Sequence, residues 1–236
     1  MTADDQKRAA AAAALDFVED GMRLGLGTGS TAAHFVRLLG EKVRAGLNVV
    51  GVPTSKATEA LAKEAGIRLT TLDETPELDL CVDGADEIDD DLNLIKGGGG
   101  ALLREKIVAY AAKTFVVIAD RSKLSPTLGG FRLPLEVLTF GAGATVGAIA
   151  RTASGIGPRG AIEQRLVKGK PYLTDNGNWI FDADWRTIEH PARLAEALSQ
   201  IPGMVEHGLF VGMADHAVIS GHGGVEILSR SGRSAL

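Results

Sequence analysis

The sequence predicts an α/β protein, with a mostly parallel sheet covered by helices on both faces and a small α+β inserted domain. Three observations predict it. Short apolar runs alternate with longer helical patterns through the first half, as in chains that build a parallel sheet. Near Arg132 the pattern changes to short strands, two helices and a turn-rich stretch. From Gly208 onward strand-like runs return and are expected to rejoin the first sheet. The expected division is residues 1–131 plus 207–236 for the main domain and 132–206 for the insertion.

In chain order, the alanine run 9–14 is a helix signal. The charges before it include two acids, and the run ends at Asp16, so the segment does not read as a signal peptide. Strands are expected at 23–26, 48–52, 67–72, 78–82 and 115–119, with helices at 31–45, 56–65 and 101–112. Gly46 and Gly66 follow two of these helices as stops. In the second half, strands are expected at 133–138, 163–167 and 179–181, and helices at 142–152 and 191–199. Asn176-Gly177 is a hairpin signal. Pro191 suits a first helical turn. His216 opens the last strand-like run.

Composition narrows the function. A net charge of −5 argues against nucleic acid as a partner and requires a locally positive pocket for any anionic substrate. Nothing approaches the ~20 apolar residues of a membrane-spanning helix. The one cysteine, Cys81, lies in an apolar run and reads as a buried structural thiol. Without a second cysteine no intrachain disulfide can form, which suits a reducing cytoplasm. The histidines, His34, His190, His207, His216 and His222, are far from the acidic turn described below, and no metal cluster is expected among them.

Four segments carry chemistry. Gly25-Leu26-Gly27-Thr28-Gly29-Ser30-Thr31 follows a strand and opens a helix, so its backbone N–H groups can meet an anion at a positive helix end. Ser30 and Thr31 can add hydroxyl donors and cap the helix. The next strand ends Val52-Pro53-Thr54-Ser55, without the acid that a dinucleotide's ribose needs. A small phosphorylated ligand is therefore preferred, and a ligand-free strand–helix turn is the alternative.

Asp83-Gly84-Ala85-Asp86-Glu87 ends another strand. Its two aspartates can move protons on sugar hydroxyls, hold Mg²⁺, or simply cap a turn. Asp89, Asp90 and Asp91 read as a solvated continuation.

Lys96-Gly97-Gly98-Gly99-Gly100 is the most informative run. Four consecutive glycines lose much backbone freedom on ordering, which suits close approach of backbone to a ligand. Their N–H groups with the Lys96 charge can stabilise an oxyanion. Glu105 follows, with Ala101, Leu102, Val108 and Ala109 as its helical neighbours and no base at ion-pair spacing. Such a glutamate faces inward or lines a pocket, where it can serve as a general base. Lys123 adds a cation beyond a strand end.

Together these motifs, with Arg104-Glu105-Lys106, Ala119-Asp120, Ser122-Lys123, Thr174-Asp175-Asn176-Gly177-Asn178 and Gly208-Leu209-Phe210, resemble ribose-5-phosphate isomerase, type A. The resemblance implies a doubly wound domain with a ferredoxin-like insertion, and a cytoplasmic homodimer or dimer of dimers. It implies interconversion of ribose 5-phosphate and ribulose 5-phosphate in the non-oxidative pentose phosphate pathway, with no metal or cofactor. Glu105 would be the proton acceptor, aided by Asp83 and Lys96. Substrate contacts would fall on Thr28, Gly29, Ser30, Thr31, Asp83, Gly84, Ala85, Asp86, Lys96, Gly97, Gly98, Gly99 and Lys123, with Lys7 near the phosphate. The rivals are an amino-sugar-phosphate deaminase or lactonase, expected to place a histidine near the acidic turn, and a phosphosugar sensor, expected to carry a basic helix-turn-helix segment.

Overall fold

The computed structural model describes residues 2–230. The chain forms two compact units. One holds the residues up to Ala85, Arg104–Lys123, and those from Met213 onward; the other holds Asp86–Leu103 and Leu124–Gly212.

The first unit is built on a seven-stranded sheet. Helix α1, Ala3–Ala14, opens with a reciprocal cap. The Thr2 hydroxyl accepts the Asp5 N–H at 3.1 Å, and the Asp5 carboxylate accepts the Thr2 N–H at 2.8 Å. Then come β1 (Arg23–Leu26), α2 (Ser30–Arg44), β2 (Val50–Pro53), α3 (Lys56–Glu64), β3 (Arg68–Leu69) and β4 (Leu78–Gly84). In the second unit lie β5 (Glu87–Ile88) and β6 (Leu94–Ile95). Helix α4 (Leu102–Tyr110) leads to β7 (Ala112–Asp120).

The sheet order is completed by β15 (His216–Gly221) and β16 (Gly224–Ser229) as β16-β15-β7-β4-β1-β2-β3. All pairs are parallel except β15 with β16. The strand opened by His216 therefore does rejoin the first sheet, beside β7, whereas Leu209-Phe210, expected to join it too, pairs with β6 instead. One face, with Leu24, Leu26, Leu80, Val82, Val116 and Ile118, packs against Ala10 and Ala14 of α1, Phe35 and Leu39 of α2, and Ala62 of α3. On the other face Val108 of α4 comes so close to Gly25 that a β-carbon there would lie 2.6 Å from its methyl. Helices on both faces make the sheet doubly wound.

Two differences from the sequence reading change an assignment in this unit. Helix α4 ends at Tyr110, and Ala112, expected in the helix, begins β7. The β-branched run after Thr114 occupies a strand paired on both sides, and its ladder reaches back to the Leu78–Ala112 pair. The apolar stretch 67–72 supplies only the two-residue edge strand β3.

The second unit contains β8 (Leu133–Val137), α5 (Ala142–Ile156), β9 (Ile162–Gln164), β10 (Leu166–Val167), β11 (Lys170–Pro171), β12 (Trp179–Ala183), α6 (Pro191–Ser199), β13 (Met204–His207) and β14 (Leu209–Phe210). Its main sheet, β13-β8-β12-β9, is antiparallel throughout. With α5 and α6 it has the β-α-β-β-α-β order of a ferredoxin-like unit. Leu133, Leu135 and Val137 face the helices and share a core with Ile149, Ala153, Leu194 and Leu198. Pro134, Glu136, Ile180 and Asp182 alternate onto the opposite face, where Ile180 pairs with Glu136 and Asp182 with Pro134.

The strand expected over 163–167 is broken at Arg165. Its first part pairs with β12, and Leu166 and Val167 turn into a separate hairpin with β11. Lys168 and Gly169, both at positive φ (53° and 76°), make its two-residue turn. The Asn176-Gly177 turn forms as expected, with the Thr174 N–H donating to Asn178 O at 2.9 Å. It is anchored by Glu136, fully buried, whose carboxylate accepts from Thr174 Oγ1 at 2.8 Å and Asn178 Nδ2 at 2.9 Å.

Candidate active site

In the first unit the chain runs from β1 outward to β2 and β3, then returns to β4 on the other side of β1. That reversal is the switch point beyond whose strand ends α/β sheets bind ligands. The Gly27 loop leaves the end of β1, and Asp83 and Gly84 close β4. The two ends are locked together. Asp83 is 1% exposed, and its Oδ1 accepts the Thr28 N–H at 3.0 Å and the Gly84 N–H at 2.7 Å. A β-carbon on Gly27 would lie 2.5 Å from the Asp83 Cα, so only glycine permits this approach.

The Thr28 hydroxyl sits in a cluster missed by the sequence reading. It lies 2.7 Å from Thr54 Oγ1, 2.9 Å from Ser55 Oγ and 3.0 Å from Thr58 Oγ1, while Thr58 Oγ1 donates to Gly27 O at 2.9 Å. The signal was present in Thr54-Ser55 at the end of β2, a position read only for its lack of an acid. Gly29 (φ 106°) is the N-cap of α2, and no side chain caps that helix. This corrects the expectation that Ser30 or Thr31 would cap it. They are its first helical residues, and Ser30 is exposed. The helix start thus keeps its backbone donors for an anion.

Glu105 lies in the first turn of α4 and is 4% exposed. Its helical neighbours Ala101, Leu102, Val108 and Ala109 are all buried, as their apolar spacing predicts. Lys123 lies in the short 3₁₀ turn Arg121–Lys123 after β7, half-buried. Lys7 is half-buried on α1.

In the second unit Asp86 does for the glycine run what Asp83 does for the first loop. Its Oδ2 accepts the Gly98 N–H at 2.8 Å, and a β-carbon on Gly98 would sit 2.7 Å from its Oδ1. Gly97 (φ 99°) and Gly100 (φ 80°) are left-handed and close a turn, with the Gly100 N–H donating to Gly97 O at 2.9 Å. Lys96 is 2% exposed, with its Nζ 5.5 Å from the centre of the Phe210 ring.

Two residues that contact this turn, and the aspartate that holds one of them, were not singled out from sequence. Arg165 donates to Gly97 O and Gly98 O, each at 3.0 Å, and its guanidinium is held by the Asp182 carboxylate. The Tyr172 hydroxyl donates to Gly99 O at 3.2 Å, and partial burial pushes its phenol above the ordinary value. No local spacing links residues 165, 172 and 182 to 97–99. Glu87, also unread, binds the N–H groups of Gly129, Gly130 and Phe131 at 2.8–3.2 Å.

The remaining titratable candidates are structural. Cys81 is fully buried. His34 pairs with Asp4 at 2.9 Å, and buried His207 lies between Ser199 Oγ and Ala195 O. The Asp89 carboxylate accepts the Asp91 and Asn93 N–H groups in a local turn.

These features define a doubly wound α/β protein with aspartate-braced glycine loops and a ferredoxin-like unit. The family model of ribose 5-phosphate isomerase A (phosphoriboisomerase A) matches residues 50–224. A curated ribose-5-phosphate isomerase A from Bradyrhizobium diazoefficiens is 57% identical over 235 residues, 98% of each chain. One from Brucella suis is 58% identical, over 95% of this chain and 97% of that one. The solved ribose 5-phosphate isomerase from Plasmodium falciparum superposes with a TM-score of 0.92 at 37% identity, covering 97% of this chain and 100% of that one. A solved D-ribose-5-phosphate isomerase in complex with phospho-erythronic acid gives 0.90 at 42% identity, over 98% of this chain and 100% of that one. The chain belongs to the ribose 5-phosphate isomerase A family.

Proposed function

We propose that this protein interconverts D-ribose 5-phosphate and D-ribulose 5-phosphate through a cis-enediolate, with Glu105 as the general base. Besides family membership, one observation carries the assignment to Glu105: a carboxylate in the first turn of α4, 4% exposed and set on an apolar stripe. A carboxylate so placed can take up a proton and return it, as general-base catalysis requires.

The phosphate binds at the start of α2, on Thr28, Gly29, Ser30 and Thr31, with Lys123 or Lys7 as countercharge. Asp83, with Gly84, Ala85 and Asp86 beside it, moves the protons that open the sugar ring. Glu105 removes the C2 proton. Lys96 and the N–H groups of Gly97, Gly98 and Gly99 stabilise the oxygen that becomes charged. Glu105 then returns the proton to C1 and completes the ketose. Phospho-erythronic acid, bound by the solved relative, has a phosphate at one end and a carboxylate at the other. Those are the two anionic ends this scheme requires.

The reaction needs no metal in this reading. Asp83 and Asp86 each direct an oxygen at backbone N–H groups, where a cation would compete. We place the enzyme in the cytoplasm, consistent with a single buried thiol, and as a homodimer or dimer of dimers. Exposed Leu138 and Phe140 at the end of β8 support self-association. No helix among the described residues is long and apolar enough to cross a membrane. Ribose 5-phosphate turnover by the purified protein, with and without a strong chelator, tests the reading. Abolition by chelator and restoration by Mg²⁺ would overturn the metal-free mechanism, and near-normal turnover by Glu105→Gln would overturn the base.

A further inference from the structure

We propose that Arg165, locked by Asp182, is a positioning residue that orients the glycine-run turn as an oxyanion donor. The inference rests on the reading above, in which N–H groups of this run meet the developing charge.

Peptide geometry carries the argument. In a trans peptide the carbonyl and the following N–H point in opposite directions. Arg165 takes the carbonyls of both Gly97 and Gly98, at 3.0 Å each. It therefore fixes two successive peptide planes. The first plane sends the Gly98 N–H to Asp86, at 2.8 Å. The second turns the Gly99 N–H to the side away from the guanidinium. Tyr172 fixes the third plane through Gly99 O, and its N–H, on Gly100, closes the turn onto Gly97 O at 2.9 Å. In a four-residue turn the N–H of the third residue has no acceptor within the turn. Gly99, which is exposed, holds that place and supplies the donor.

Glycine is the residue least able to hold such planes unaided. An unbraced four-glycine turn samples flipped peptides, which would present a carbonyl oxygen to the enediolate and repel it. The guanidinium prevents this because its Nη1 takes both carbonyls while its Nε and Nη2 are held by the Asp182 carboxylate. Both side chains are mostly buried, 16% and 19% exposed, so little solvent competes for these contacts.

The test compares Arg165→Ala, Arg165→Lys and Asp182→Asn in the full-length protein. Loss of a direct oxyanion donor costs about 10²–10³ in kcat, and loss of its brace should cost about 10–100-fold. The expected pattern for Arg165→Ala is a lower kcat, an unchanged KM for ribose 5-phosphate, and inhibition by phospho-erythronic acid weakened in parallel with kcat. Guanidinium ion, well below denaturing concentrations, should restore part of the rate. Arg165→Lys and Asp182→Asn should fall between Arg165→Ala and the parent. A folded Arg165→Lys or Arg165→Ala protein with parental kcat overturns the proposal. So does a kcat loss that leaves inhibitor affinity untouched. Glu105→Gln is assayed alongside: if it keeps its activity the underlying mechanism fails, and if it alone loses activity only the role of Arg165 fails.

Discussion

The Asp83 carboxylate accepts the Thr28 N–H at 3.0 Å, tying the end of β4 to the loop that leaves β1. The same oxygen accepts the Gly84 N–H at 2.7 Å, so one side chain shapes both loops at the switch point of the sheet. Any chemical role for Asp83 is therefore combined with a structural one, and substitution can separate them.

Asp83→Asn keeps an acceptor toward Thr28 but can no longer move a proton. Its kcat on ribose 5-phosphate should fall about 10²-fold or more, with little change in unfolding free energy. Asp83→Ala should lose that activity and also about 1–3 kcal/mol of stability, because two N–H groups are left without their acceptor. Steady-state kinetics and denaturant unfolding of the pair measure the two effects.

Glu105→Gln preserves shape and removes the proposed base. Turnover should drop about 10²–10⁴-fold in both directions. The variant should also stop exchanging the C1 hydrogen of ribulose 5-phosphate with deuterium oxide, which nuclear magnetic resonance follows directly. Exchange at the parental rate would assign the proton transfer to another group.

The two glycine loops should respond differently to an added methyl. At Gly27 the new β-carbon meets the backbone of Asp83, which cannot yield, and Gly27→Ala should lose about 1–3 kcal/mol or more. At Gly98 it meets carboxylate oxygens of Asp86, which can rotate away. Gly98→Ala should fold near normally yet lose activity, since the turn gives up its brace. Thermal unfolding and kcat together distinguish the cases.

At the other end of β1 and β4, Arg23 and Lys113 hold the Asp79 carboxyl well below the usual carboxylate range. A depressed folded-state pKa contributes stability above the unfolded value, about 3.9, and loses it as pH falls below that. Asp79→Asn should therefore flatten the acid limb of the stability curve below about pH 4. Its kcat at neutral pH should be unchanged, because the pair lies at the amino ends of the strands, away from Gly27 and Gly84.

Much of this molecule was legible in its sequence because the signals are local. Strand β1, the Pro191 helix and the Asn176-Gly177 turn depend on residues within a few positions of one another. Glu105 stood out for the same reason, since helical spacing alone showed an acid on an apolar stripe with no base three or four positions away along its helix. The switch from helix to strand at Ala112 was less legible, because a central strand is extended by its two neighbours rather than by its own propensity. Tertiary structure alone decided how the glycine loops are braced. Asp83 on Thr28, the hydroxyls of Thr54, Ser55 and Thr58, and above all Arg165 on Gly97 and Gly98 act across 26 to 68 residues of chain. The sequence by itself determined which segments must approach a ligand, because glycine's freedom is written into the residue. Which way their peptide planes face follows only from partners that folding brings to them.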